Sequence, residues 1–433
     1  MLIRLFGENY CSLRDPFELS FMAANLKSER DRGVSSVQLS GSEESLDVLR
    51  CLVIFGANAS GKTTVLNAAN ALGWMIRQSS RKLEPGMDIP PYEPFAFSPD
   101  TQEQPVRLGC TILLDGYLYE YSVEYSNDRI HREELVRLDK PETPLLKRDA
   151  SHQVSGRFVE LSDQVKALVS QPRSNTPVFS ILAQHGPETG PGSVLHIWKA
   201  FCEHLKNRDY RSSIHNRIFG LGDPIAKRLY EDRTFREWMI SHLIQPADLG
   251  IREVRAEEVE VPSLFKDTPD EIRKQLSDES LFFRSEFFHY GSDTALNLNQ
   301  ESAGTCKMYS LAEDWWSLAH DEITIFGDEL SASLHPVLIE NLVQAINEPP
   351  AGRDVRGQLA FASHDVGLLE SRDGKDAPVR RDQIYFTKKD ESGATTLYSL
   401  AEFKDQARSV HNLRKRYLED RYGAIPRIED LSL

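Results

Sequence analysis

The chain has 433 residues, enough for two or three domains or for one domain carrying a large insertion, and its 40% apolar and 27% charged residues describe an ordinary globular protein. A net charge of −15 repels a phosphate backbone, which disfavours a dedicated nucleic-acid-binding protein. No apolar run approaches the length of about 18 residues that a membrane-spanning helix needs, and residues 1–9 lack the apolar stretch and cleavage site of a secretory leader, so no membrane association and a cytoplasmic location are expected.

Residues 1–140 read as strand-rich, with apolar or alternating segments at 2–6, 17–21, 52–55, 106–114 and 118–125. The last two flank Asp115-Gly116, a hairpin turn signal. One long helix interrupts them, from near Gly61 to about Ser79. Between about 141 and 290 the pattern changes to helices punctuated by Pro, Gly and Asn clusters such as Gly220-Leu221-Gly222-Asp223-Pro224. Within this span Lys206, Arg208, Arg211, Arg217, Lys227, Arg228, Arg233 and Arg236 outnumber Asp209, Asp223, Glu231 and Asp232, the pattern of a solvated helical face that could also serve as a docking face. After 291 short apolar runs at 322–327, 358–363, 383–386 and 396–400 alternate with helices, as buried parallel strands do. The spans 1–140 and 291–433 therefore read as halves of one α/β domain split by a mainly helical insertion. Five cysteines, Cys11, Cys51, Cys110, Cys202 and Cys306, are odd in number and lack close pairs, which fits buried thiols better than disulfides or a zinc site.

The strongest chemical signal is Gly56-Ala57-Asn58-Ala59-Ser60-Gly61-Lys62-Thr63, a complete G-x-x-x-x-G-K-[ST] that follows an apolar strand and opens a helix. Glycines let the backbone N–H groups turn onto phosphates, Lys62 reaches the β- and γ-oxygens, and Thr63 is the candidate Mg²⁺ ligand; Gly56, Asn58, Ala59, Ser60, Gly61, Lys62, Thr63 and Thr64 are the candidate nucleotide contacts. Asp328-Glu329 ends a later apolar strand, where Asp328 can hold the Mg²⁺ shell and Glu329 can polarise the attacking water. His364 closes the next strand and can donate to the γ-phosphate. Ser302-Ala303-Gly304-Thr305 opens a helix and, taken alone, reads as an ordinary N-cap that could also receive an anion.

The order of these motifs resembles the ABC/SMC-type ATPases, in particular the OLD-like ATPases that accompany bacterial abortive-infection and anti-phage systems. Gly56 to Thr63 resembles the Walker A loop, Glu301 to Thr305 the short signature, Asp328-Glu329 Walker B, Ser331 to Pro336 the D-loop and His364 the switch histidine. Asn9 to Asp15 resembles the family's opening strand and turn, and Lys415 to Pro426 its C-terminal segment, with Asp420 where a glycine is expected. The resemblance implies an α/β ABC/SMC-type P-loop ATPase head with a helical insertion. It implies ATP and Mg²⁺ as cofactors, catalytic roles for Lys62, Glu329 and His364, and Ser302 and Gly304 as contacts to the nucleotide of a second subunit. It also implies a homodimer or higher oligomer around sandwiched ATP, with a separate effector, a TOPRIM-type nuclease or a toxin, as partner. The segment after His364 is too short for a TOPRIM domain, and sustained heptads are absent between Lys62 and Ser302. Alternatives left open are a low-turnover ATP-bound scaffold that sequesters an effector and an SMC-like DNA-repair ATPase.

Overall fold

The computed structural model describes residues 1–26, 32–185, 190–210, 223–259, 282–350, 355–371, 376–403 and 412–426. The chain divides into two compact units, Met1–Arg208 with Asp321–Leu330 and Glu340–Leu433, and Asp209–His320 with Ser331–Ile339.

The first unit is built on two large sheets. Cys51–Gly56 is buried at every position, as a strand covered on both faces must be. It lies between Gln358–Ala362 and Ile384–Lys389, parallel to both, and Thr324–Asp328 adds a fourth parallel strand beyond Gln358–Ala362. Lys206–Asp209 and the antiparallel Thr395–Ser399 complete the six-stranded sheet at its two edges. The second sheet has seven strands, Leu2–Glu8, Phe17–Ser20, Val106–Leu114, Tyr117–Tyr125, Ile130–Arg137, Thr143–Arg148 and Val154–Ser155, and every pairing in it is antiparallel. The hairpin expected at Asp115-Gly116 is present, with both residues at positive φ, the geometry of a two-residue turn that follows the strand twist.

Gln358 links the two sheets. Its side chain is fully buried, and its Oε1 accepts from Leu2 N–H at 2.6 Å and from Thr324 Oγ1 at 3.0 Å. Its Nε2 donates to the carbonyls of Leu2 and Leu49 at 3.0 and 3.1 Å. One amide thus satisfies backbone groups that no ladder reaches.

The bounds of the units differ from the three spans read off composition. Helices Asp163–Val169, Val178–His185 and Val194–Glu203 fall in the first unit, because Val165, Phe179, Ile197 and Phe201 join its core and Phe179 and Phe201 pack against Tyr121. The second unit combines Pro224–Glu231, Arg233–Met239, Ala303–Ser310 and Ala312–His320 with a three-stranded antiparallel sheet of Ile251–Val259, Phe282–His289 and Ala295–Asn297. A mainly helical insertion was expected over 141–290, and no strand was read within it. Ile251, Val254, Ala256 and Val259 do not alternate strictly, and they stand among Arg and Glu residues that favour helices; pairing with Phe282–His289 overrides that local preference.

Asp420 stands in the left-handed region at φ 56°, which explains why a glycine is expected there and why aspartate is tolerated. No helix among the described residues is long and apolar enough to cross a membrane. All five cysteines are free, with Cys51, Cys110 and Cys306 buried.

Replacing Gln358 by Leu keeps the volume but strands the Leu2 amide and the carbonyls it serves, so chemical unfolding should show a loss of about 3 kcal/mol. An unchanged urea midpoint would show that the amide does not hold the sheets together.

Candidate functional site

The four parallel strands end on one edge of the sheet, and their C-terminal ends bring the candidate residues together, as open α/β sheets do. In spatial order these ends carry Asp328-Glu329, His364, the loop 56–61 and Lys389. A cavity of about 620 Å³ lies over them, lined by Asn58 to Thr64, Asp328, Glu329, Ala362, His364, Cys11, Ser12 and Lys389, all from the first unit.

The loop is shaped by close packing against the hairpin Ile384–Lys389 and Thr395–Ser399. A Cβ on Gly56 would run into Thr387 Oγ1 and one on Gly61 into Thr395, and Gly61 also sits at φ 106°. Ser60 Oγ shares a 2.6 Å hydrogen bond with Thr387 Oγ1, and the Thr395 hydroxyl lies 2.9 Å from the Ser60 carbonyl and 2.8 Å from Ser12 Oγ. Gly61 opens the helix Lys62–Arg77, whose first-turn N–H groups have no side-chain cap and face the cavity end.

Lys62 Nζ donates to the carbonyls of Gly56 and Ala57, each at 2.8 Å, spanning its own loop. Burial pushes its pKa down to about 8, with Glu329 and Asp328 pulling the other way. Thr63 Oγ1 donates to Asp328 Oδ2 at 3.0 Å, which places two hard oxygen donors side by side, the set that suits a small divalent cation. Glu329 follows at φ 55°, a left-handed conformation costly for a side chain of its size, while Asp328 and Leu330 on either side are buried. His364 is exposed to the cavity, and partial burial followed by the Lys62 charge lowers its pKa below the ordinary histidine value. The arrangement therefore offers phosphate donors at one point, a hard-cation pair beside it, and a carboxylate and an imidazole within the same cavity.

Ser302 and Gly304 lie in the second unit and are not among the residues lining this cavity. Ser302 caps Ala303–Ser310, its Oγ accepting from Thr305 N–H at 3.1 Å, and its own side chain is exposed. That helix is held by Tyr309, whose hydroxyl donates to Asp223 Oδ2 at 2.7 Å. Within the basic segment, Lys227, Arg228 and Arg233 pair with Glu231, Asp232 and Glu237 one turn on. Arg211 and Arg217 lie outside the described residues.

Sequence reasoning missed Ser12, Thr387, Lys389 and Thr395 as parts of this site. Lys389 lies three residues beyond the strand read at 383–386, which in the structure spans Ile384–Lys389; the threonines carried no signal, because their role depends on what packs against them.

Fold and site together define an α/β protein with a P-loop at the carboxyl edge of a parallel sheet. A family profile described as an AAA domain, putative AbiEii toxin, Type IV TA system, matches residues 199–370, a span that includes Ser302, Asp328 and His364 but not the phosphate loop. No curated protein matches the chain. Solved structures that resemble it include an SMC head bound to the C-terminal winged-helix domain of ScpA, with 13% identity, a TM-score of 0.46 and coverage of 93% of this chain and 99% of that one. The SMC head of Thermotoga maritima shows 10% identity and a TM-score of 0.40 over 92% and 98% of the two chains. An SMC head with an extended coiled coil, bound to the ScpA C-terminal domain from Pyrococcus furiosus, shows 12% identity and a TM-score of 0.35 over 97% and 99%.

Gly61→Ala tests the close packing of the loop. The added methyl meets Thr395 in a backbone conformation that alanine resists, so stability should fall by about 1–3 kcal/mol in urea unfolding, with nucleotide binding lost. A variant of wild-type stability and affinity would mean that the loop tolerates a side chain there.

Proposed function

We propose that the chain binds and hydrolyses ATP with Mg²⁺ and that its nucleotide-dependent dimer state controls a partner effector, a nuclease or toxin, in anti-phage defence. The observation that carries the chemistry is the single cavity over the parallel strand ends, where loop, Thr63–Asp328 pair, Glu329 and His364 meet. Backbone N–H groups of the loop and the helix start hold the phosphates, and Lys62 leaves its loop carbonyls for the β- and γ-oxygens. Thr63 and Asp328 would hold Mg²⁺, which would supply positive charge beside the phosphates. Glu329 accepts a proton from a water whose oxygen attacks the γ-phosphorus; the bond to the β,γ-bridging oxygen breaks, leaving ADP and phosphate. His364 donates to the γ-phosphate and registers its loss.

Support for the effector role comes from the motif order, which resembles OLD-like defence ATPases, and from the toxin-system description of the family whose profile matches residues 199–370. The DNA-repair alternative is weakened by the net charge of −15 and by the pairing of Lys227, Arg228 and Arg233 with neighbouring acids.

Two experiments separate binding, cleavage and assembly. Lys62→Ala should weaken ATP binding at least about tenfold, whereas Glu329→Gln should retain binding and slow phosphate release by about 10²–10³-fold. Equal loss of affinity in both would refute the division of roles, and phosphate release unaffected by Glu329→Gln would favour the sequestering scaffold.

The second concerns Ser302, which we assign to the nucleotide of the opposite subunit. Lys62→Ala and Ser302→Arg homodimers should each be inactive. In a mixture with demonstrated subunit exchange, one site of each heterodimer regains intact Lys62 and intact Ser302, so activity should return in proportion to the heterodimer fraction. No recovery would place Ser302 at its own subunit's nucleotide.

A further inference from the structure

The sheet edge that carries the cavity has a fourth parallel strand end that the chemistry above does not use. Ile384–Lys389 runs parallel to Cys51–Gly56 with Thr387 level with Gly56, so Lys389 reaches the level of the phosphate loop itself. Side chains alternate along a strand: Thr387 turns onto Ser60, Lys388 lies on the opposite face, and Lys389 shares the face of Thr387 and lines the cavity. In strand order it stands on the far side of the loop from Asp328-Glu329 and His364, beside Ser12 and Cys11.

This cation is held in place from behind. Thr395 N–H, directly across the hairpin from Lys389, donates to the Ser12 carbonyl at 2.6 Å, and the Thr395 hydroxyl touches both Ser12 and Ser60. Phe386 stacks between Tyr417 and Tyr422 at 5.6 and 5.3 Å, and Tyr398 donates to the Tyr422 carbonyl, fixing the outer side of the hairpin. The nearest acid in sequence, Asp390, is occupied within the turn, accepting from Ser392 and from Ala394 N–H, and faces Arg14. Lys389 itself forms no ion pair among the described residues. An ammonium directed into a phosphate-binding cavity, on a braced strand and without a carboxylate, is placed to meet an anion.

The geometry points to Lys389 as a nucleotide-binding residue that contacts the α-phosphate, the part of the ligand lying away from the hydrolytic end of the cavity. This rests on the reading of the loop as an ATP site. Lys389 then adds affinity common to the di- and triphosphate, whereas Lys62 reaches the β- and γ-oxygens.

The test is equilibrium binding of ATP and of ADP to the full-length protein, with Lys62→Ala as reference. Lys389→Ala and Lys389→Gln should weaken ATP and ADP by the same factor, about tenfold, and flatten the salt dependence of both, while Lys389→Arg restores affinity. Because the side chain is exposed, the urea midpoints of these variants should match wild type. Wild-type affinity for ADP in both Lys389 variants, with Lys62→Ala impaired, overturns the assignment and leaves the ATP site standing. A loss confined to ATP also overturns it, since that would put Lys389 at the γ-phosphate. If wild-type protein binds neither nucleotide, the ATP reading falls and this assignment with it.

Discussion

The hydrogen bond from Thr63 to Asp328 joins residues 265 positions apart, and the rest of the site depends on it. The two side chains meet because the strand before Thr63 and the strand that ends at Asp328 share one sheet, in parallel, with a single strand between them. The chain meets that condition by inserting Gln358–Ala362 between Thr324–Asp328 and Cys51–Gly56, and every position of those three strands is buried. The same order sets His364 between the acidic pair and the loop without any further device. A slip of one residue in either parallel ladder would turn Asp328 to the opposite face of the sheet and separate it from Thr63.

A second constraint lies behind the loop. Phosphate loops need backbone N–H groups turned inward, and here the outward side of the turn is closed by hydroxyls: Ser60 against Thr387, and Thr395 against the Ser60 carbonyl and Ser12. Short hydroxyl side chains suit this position because they satisfy loop carbonyls without filling the space that Gly56 and Gly61 leave open. The hairpin from Ile384 to Ser399 is thereby a wall of the cavity as well as an edge of the sheet.

Much of this could be read from the residues. The phosphate loop, the acidic pair and His364 each follow a short apolar run, and that regularity alone implies a common sheet edge. What the sequence hid has identifiable causes. Strand Ile251–Val259 lacks strict apolar alternation and carries helix-favouring charges, so its strand state is decided by its partner. Helices between 163 and 203 contribute Phe179 and Phe201 to the core beneath Tyr121, a long-range contact that no local period encodes. The basic segment reads as a surface charge when residues are counted, yet three of its cations, Lys227, Arg228 and Arg233, meet acids one helical turn away. Thr387 and Thr395 look like ordinary strand residues, and only the packing of the loop 56–61 against both, and of Ser12 against Thr395, sets them apart.

Glu329 shows how the fold supports a costly conformation at a reactive position. A glutamate at φ 55° is disfavoured relative to an extended or helical one, and the chain could relax by letting the segment after the strand drift outward. It is prevented on both sides. Asp328 is still within the strand and bonded to Thr63, and Leu330 is fully buried, so the backbone between two fixed points has to turn sharply. That turn keeps the Glu329 carboxylate at the cavity instead of continuing the strand direction. The strain is therefore coupled to the hydrogen bond that ties the start of helix Lys62–Arg77 to the end of strand Thr324–Asp328, and weakening that bond should release Glu329 before it unfolds anything else.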